Sequence, residues 1–273
     1  MTTTHQAGKH LRCLLISAIF AFLSPSQFVF AQQQQDPSTL NGGSIMAMCG
    51  RNCLAIAVDK RFGSGPQMVT LTPRTVLIPH SELIVAFAGL EGDVQSLSKE
   101  LSTQISSKMN GHLGFGFGRD NDHFKSKLIS PKAMSSLLSH SLYKRRGSPY
   151  YVEPIVAGLQ KVNTIKNEHV KDDRDSMEEN TLGYIPFICS QDLIGAKSES
   201  SSFACAGAAS KSLYGTAEAM WRSNLAPEEL LQVCGRAFLS GLERDCMSGY
   251  GAVIYLLVGG EGILEYDLAC RND

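Results

Sequence analysis

The sequence lacks the residue groups that mark several common kinds of site. None of its eight cysteines forms a C-x-x-C pair, and its seven histidines show no spacing typical of paired metal ligands. Because a structural zinc site needs four closely set ligands, we predict no metal site and interpret the segment 49–53, CGRNC, as a turn between strands. The sequence also contains no Rossmann fingerprint, nucleophile elbow or EF-hand loop, so no cofactor is expected.

Excess charge and membrane-length apolar runs are missing too. The formal net charge is -1, which gives no long-range attraction to nucleic acid or to an anionic membrane, and neither is expected as a partner. The apolar run at 14–23 is shorter than the roughly 20 residues of a membrane span, but it follows basic residues and resembles a signal peptide. We interpret residues 1–40 as an N-terminal extension that is signal-like, disposable or the product of a misplaced start codon.

The remaining composition is that of one large folded domain. With 273 residues, 43% of them hydrophobic and 19% charged, the chain can bury a full core. We expect this domain at 41–273, with polar insertions at about 110–128 and 163–183. The first insertion carries a Gly-rich stretch, 111–118, which lacks the following Lys-Ser/Thr pair of a phosphate-binding loop and is interpreted as a flexible loop.

The order of predicted elements indicates the fold class. Apolar runs predict strands at 44–48, 53–58, 76–78, 83–87, 150–160, 184–195, 252–258 and 263–268, and helical spacing predicts helices at 92–109, from 130, at 208–220 and from 226. Strands that are apolar on successive residues need cover on both faces. The sequence therefore predicts an α+β fold, with two antiparallel sheets packed face to face between two helix layers in a four-layer αββα sandwich.

Several motifs resemble one family over about residues 41–270. They are NGGSIMAM at 41–48, NCLAIAVDKRFG at 52–63, QMVT at 67–70, AFAGL at 86–90, PYYVEP at 149–154, PFICS at 186–190, DLIG at 192–195, and the pairs RD at 244–245 and SG at 248–249. These segments resemble beta-type subunits of the eukaryotic 20S proteasome core, and among them the type-3 group. The resemblance implies the N-terminal-nucleophile hydrolase fold.

The same resemblance implies partners and a location. Such a subunit would sit in a heteroheptameric beta ring between other beta subunits, against an alpha ring and opposite a second beta ring. It would belong to the particle that degrades proteins in ubiquitin-dependent proteolysis, in the cytoplasm and nucleus. The signal-like segment at 14–23 conflicts with that location.

The resemblance also implies that catalytic residues have been lost. In catalytic members a threonine freed by self-cleavage attacks with its hydroxyl, assisted by a lysine and an aspartate. Counting from Asp59 places the threonine position on Gly43 and the lysine position on Thr75, and the serine of the Gly-Ser-Gly motif is replaced by Ala208. Asp59, Gly89, Asp245 and Ser248 remain, and we interpret them as structural residues of a vestigial site in a non-catalytic subunit.

Two alternative functions follow from other features. Ser44 could be the freed nucleophile of a self-processed N-terminal-serine hydrolase, although it lies one residue out of register and its side chain would turn to the opposite strand face. The signal-like segment at 14–23 favours a secreted binding module. The first alternative predicts a mature chain that begins at Ser44, and the second predicts protein outside the cell.

Overall fold

The computed structural model describes residues 43–64, 67–70, 75–111, 128–162 and 183–270. These residues belong to one compact unit, Pro37–Asp273. The predicted extension at 1–40 and nearly all of the two predicted insertions lie outside the described residues, so their interpretation stays a prediction.

Twelve strands and four helices make up the described chain. In chain order they are β1 (Ser44–Cys49), β2 (Cys53–Asp59), β3 (Phe62–Ser64), β4 (Gln67–Thr70), β5 (Val76–His80), β6 (Leu83–Gly89), α1 (Glu91–Gly111), α2 (Pro131–Lys144), β7 (Val152–Val162), β8 (Gly183–Gln191), β9 (Lys197–Ser200), β10 (Phe203–Gly207), α3 (Ser210–Met220), α4 (Pro227–Leu242), β11 (Ala252–Val258) and β12 (Gly262–Leu268). Two features help α2 begin: Ser130 accepts from the Ala133 N–H, and Pro131 occupies the first turn.

The strands form two five-stranded antiparallel sheets and a small hairpin. The first sheet has the order β10-β1-β2-β11-β12, the second has the order β5-β6-β7-β8-β9, and β3 pairs with β4. The turn between β1 and β2 uses Asn52 at a φ of 57°, a conformation that asparagine tolerates better than most residues. The cysteines at its two ends, Cys49 and Cys53, are free thiols, and the prediction of a strand turn at 49–53 is confirmed.

Three apolar clusters define the layers. Alternate residues of β1 point to different clusters: Met46 and Met48 join α3 and α4, while Ile45 and Ala47 join Ile84 and the second sheet. The third cluster packs the second sheet against α1 and α2. This arrangement confirms the predicted αββα sandwich, since each sheet is covered by the other sheet on one face and by helices on the other.

Two details of the predicted elements were wrong. The predicted strand at 184–195 ends at Gln191, because Asp192 accepts the N–H groups of Ile194 and Ala196 and so forms a turn. The strand β10 precedes α3, which begins at Ser210 rather than at Ala208. Within the described ranges, no helix combines the length and the apolar character needed to cross a membrane.

Candidate functional site

Gly43, which the motif resemblance assigns to the family's threonine position, lies immediately before β1. Gly43 has a φ of 126°, and its carbonyl oxygen accepts the N–H of Ala208 at 3.3 Å. The two backbone segments approach so closely that position 207 must be glycine, because a Cβ there would lie 2.3 Å from the Gly43 carbonyl oxygen. The backbone therefore brings Gly43 and Ala208 together.

A cavity of about 170 Å³ opens at this point. Its lining residues are Gly43, Ala88, Gly89, Tyr151, Glu153, Leu193, Gly207 and Ala208. Three of the predicted positions thus meet at one cavity, and none of these three carries a hydroxyl or an amine. Among its lining residues there is also no lysine or arginine to supply positive charge. Glu153 is engaged as well, since its carboxylate accepts the Gly207 N–H at 3.0 Å.

Thr75, the predicted counterpart of the lysine, lies just before β5 and is not among the residues that line this cavity. Its carbonyl oxygen accepts the Phe87 N–H at 2.7 Å, which fixes the entry to the strand. A threonine hydroxyl is neutral at physiological pH and cannot lower the pKa of a neighbouring nucleophile as an ammonium group would.

Asp59 ends β2 and is buried, with 1% of its surface exposed. Its two carboxylate oxygens accept backbone N–H groups, from Arg61 at 3.0 Å and from Gly249 at 3.1 Å. Burial raises the pKa of Asp59 to about 7, while these two N–H groups and the Arg61 charge limit the rise. Asp59 therefore holds the loop after α4 against the end of β2.

Arg61 reinforces the same contact, although the sequence interpretation assigned it no role. Its side chain is buried, and its guanidinium donates to the carbonyl oxygen of Met247. Together, Asp59 and Arg61 bind both Met247 and Gly249 in the loop. The signal was present in the segment 59–61, DKR, because a buried carboxylate commonly requires nearby donors or a cation.

Ser44, Ser248 and Asp245 form a chain of hydrogen bonds. Ser248 Oγ donates to Asp245 at 2.6 Å, and Ser44 Oγ lies 3.0 Å from Ser248 Oγ. Because the hydrogen of Ser248 is directed to the carboxylate, Ser44 must donate to Ser248. Ser44 Oγ also accepts the N–H of Ala209 at 3.0 Å. Ser44 is fully buried, and its hydroxyl both donates and accepts a hydrogen bond.

The direction of the Ser44 side chain follows from strand alternation. Met46 and Met48 point to the helix side of the first sheet, so Ser44 shares that face. It is not among the residues that line the cavity at Gly43. Ser44 therefore lies on the helix side of β1, away from the cavity that Gly43 lines.

Within the described ranges, no group of three or more His, Cys, Asp or Glu residues is placed to hold a metal ion. Six of the seven predicted positions, all except Thr75, instead fall into two groups. Gly43, Gly89 and Ala208 line the cavity, while Asp59, Asp245 and Ser248 bind the loop that follows α4.

Comparisons with known proteins agree with this geometry. The family model described as "Proteasome subunit" matches residues 39–114 and 181–257. "Proteasome subunit beta type-3" of Picea mariana is 33% identical over 233 residues, which is 85% of this chain and 97% of that protein. The protein of the same name from Saccharomyces cerevisiae is 33% identical over 240 residues, 87% of this chain and 99% of that protein. "Proteasome subunit beta type-3-A" of Arabidopsis thaliana is 34% identical over 233 residues.

These matches cover nearly the whole length of the related proteins. The two packed sheets with outer helices have the fold of that family. The chain therefore belongs to the proteasome subunit family.

Proposed function

We propose that this chain is a non-catalytic, beta type-3-like subunit of the 20S proteasome core, and that it builds a wall of the proteolytic chamber. The similarity to proteins named beta type-3 over 85% of the chain supports the subunit type. The observation that carries the absence of catalysis is the residue at the start of β1: Gly43 lines the cavity and has no hydroxyl to attack a carbonyl.

The neighbouring positions support the same proposal. An N-terminal threonine mechanism needs a nucleophile and positive charge close together, and here Thr75 supplies no charge while Ala208 supplies no hydroxyl. The acidic and hydroxyl groups that remain, on Asp59, Asp245 and Ser248, are used in hydrogen bonds that hold one loop. These residues therefore serve a structural role, in which they stabilise the loop after α4.

The partners we propose are other proteasome subunits. The chain would take one place in a heteroheptameric beta ring, against an alpha ring and facing a second beta ring, in a particle of the cytoplasm and nucleus. Obligate interfaces of this kind typically bury more than about 2,000 Å². The subunit would close the chamber and shape the pockets of catalytic neighbours.

The geometry opposes the alternative in which Ser44 is a nucleophile. A nucleophilic hydroxyl must reach the substrate, whereas the Ser44 hydroxyl is buried on the helix side of the first sheet and donates to Ser248. The secreted binding module rests on residues 1–40, which lie outside the described residues.

The direct test is to tag the C-terminus in the native cell, purify gently, and measure both the native mass of the assembly and the N-terminus of the chain. We expect a particle of many related subunits and an intact bond between Gly43 and Ser44. A mature chain that begins at Ser44 would favour the serine hydrolase. A free monomer in the medium that begins near residue 32 would overturn the proposal and favour the secreted module.

A second prediction concerns Gly43→Thr. A Cβ at this position would meet only the Arg61 carbonyl oxygen, at 3.9 Å, but the φ of 126° is strained for any residue except glycine. Thr75 and Ala208 also still provide neither charge nor a hydroxyl. We expect no labelling of the variant chain by a threonine-reactive inhibitor. The catalytic subunits of the same particle serve as the positive control, and labelling of the Gly43→Thr chain would contradict the prediction.

A further inference from the structure

A second cavity, of about 200 Å³, lies on the helix side of the first sheet, between the end of α4 and the residues after β12. Among the residues that line it are Cys246, in the loop after α4, and Cys270, just beyond β12. Glu243 and Asp245 also line it. The cavity therefore brings two cysteines from distant parts of the sequence to one space, beside two acidic residues.

These two thiols differ from the other cysteines of the described chain. Cys49, Cys53, Cys189, Cys205 and Cys234 are buried, and burial raises the pKa of Cys49 to about 12 and that of Cys53 to about 11. Buried thiols of this kind react slowly because the thiolate is the nucleophile. Cys246 is exposed and Cys270 is partly exposed. In the isolated chain, reagents from solvent can thus reach the pair that shares the cavity.

We propose that Cys246 and Cys270 form a peroxide-sensitive thiol pair, which oxidation converts into a disulfide across this cavity. Redox-sensitive cysteines are typically accessible and accompanied by a second, resolving cysteine. Cys246 has the greater exposure and takes the first role. Cys270 is more protected, and burial raises its pKa, so it takes the resolving role.

The reaction consumes one hydrogen peroxide for each pair. The Cys246 thiolate attacks one peroxide oxygen, the O–O bond breaks, and the departing hydroxide takes a proton to form water. The resulting sulfenic acid is attacked by the sulfur of Cys270, so that the S–O bond breaks, the S–S bond forms and a second water leaves. Hydrogen peroxide accepts the two electrons that the thiols lose and is itself reduced to water.

The charge of the cavity favours a small neutral oxidant. Glu243 and Asp245 line the same space and repel anions, including oxidised glutathione with its several carboxylates. Hydrogen peroxide is uncharged and far smaller than the cavity. We therefore expect peroxide to produce the internal disulfide more readily than oxidised glutathione produces a mixed disulfide.

The disulfide would join two segments that the thiol form leaves covalently separate. One is the loop that carries Asp245, Ser248 and Gly249, and the other follows β12 at the edge of the first sheet. Oxidation would then restrain the loop that Asp59 and Ser44 already hold by hydrogen bonds.

The test uses the native assembly that carries the full-length chain. It is treated with hydrogen peroxide or with oxidised glutathione, the free thiols are alkylated, and the digest is analysed by mass spectrometry without reduction. We expect a peptide that links Cys246 to Cys270, together with loss of alkylation at both cysteines. The peptide with buried Cys53 serves as an internal control and should stay unlinked.

Cys246→Ser and Cys270→Ser are the matched variants. Each should abolish the linked peptide, and Cys270→Ser should leave Cys246 as a sulfenic acid that a dimedone probe captures after peroxide. The proposal is overturned if the wild-type chain keeps both thiols open to alkylation after peroxide. It is also overturned if Cys246 accumulates glutathione in preference to forming the link.

Discussion

Gly89→Ala should strongly destabilise the protein. Gly89 has a φ of 129°, and a Cβ there would lie 2.2 Å from the Tyr151 carbonyl oxygen and 2.9 Å from the Val152 Cα. Both contacts are backbone atoms, at the first residue of β7 and at the residue before it, which cannot move without disturbing the pairing of β6 with β7. Backbone strain and overpacking each cost about 1–3 kcal/mol.

We therefore expect the free energy of unfolding to fall by roughly 3 kcal/mol or more, and Tm to fall by roughly 6–12 °C. Thermal and denaturant unfolding of the purified chain would measure both. Gly92→Ala is the matched control, because Gly92 lies in α1 and a Cβ there meets nothing within 4 Å. That control should be neutral or more stable by up to about 1 kcal/mol. Equal stability of the two variants would contradict the assigned close approach.

Asp59→Asn should change how stability depends on pH. Burial raises the pKa of Asp59 from 3.8 to about 7 in the folded chain, so the folded state binds a proton more tightly than the unfolded state. The contribution of this proton to stability is complete below the unfolded pKa and is lost as pH rises through about 7. Asparagine does not titrate, and the variant lacks this contribution.

The measurement is the free energy of unfolding of both chains at about pH 5 and pH 8. The destabilisation by Asp59→Asn should be larger at the lower pH, by about 2–3 kcal/mol for a pKa shift of this size. Asp192→Asn is the matched control, because exposed Asp192 also accepts two backbone N–H groups, from Ile194 and Ala196. The Asp192→Asn control shows how much stability is lost when a carboxylate that accepts two N–H groups is replaced at an exposed position, without the effect of burial. A pH-independent penalty for Asp59→Asn would contradict the assignment.

Much of the fold was predictable because the strongest elements are locally unambiguous. The strands β1 and β2 are apolar between Ser44 and Asp59 at their outer ends, and α2 begins with a serine cap and a proline. The strands β9 and β10 were not predicted as strands, since β9 is the polar edge sequence KSES and β10 is only five residues long. Their pairing is decided by neighbours far away in the sequence, and such pairing leaves little local pattern.

The candidate site divides in the same way. The motif resemblance assigned Gly43, Gly89 and Ala208 to positions of the family's catalytic site, and the structure brings these three residues to one cavity. The hydrogen bonds of the remaining polar residues join distant parts of the sequence. Asp59 and Gly249 are 190 positions apart, and Ser44 and Ser248 are 204 positions apart. No local pattern specifies such pairs.

The amino-acid sequence by itself determined the layered fold class and the lack of a hydroxyl at position 43, because apolar periodicity and residue identity are local properties. Only the tertiary structure decided the use of the remaining polar groups. Packing of the first sheet against α3 and α4 buries Asp59 and Ser44, and a buried polar group must find a hydrogen-bond partner. That requirement links Asp59 and Ser44 to the loop after α4, which carries Asp245 and Ser248. The same loop carries Cys246, which lines a cavity together with Cys270.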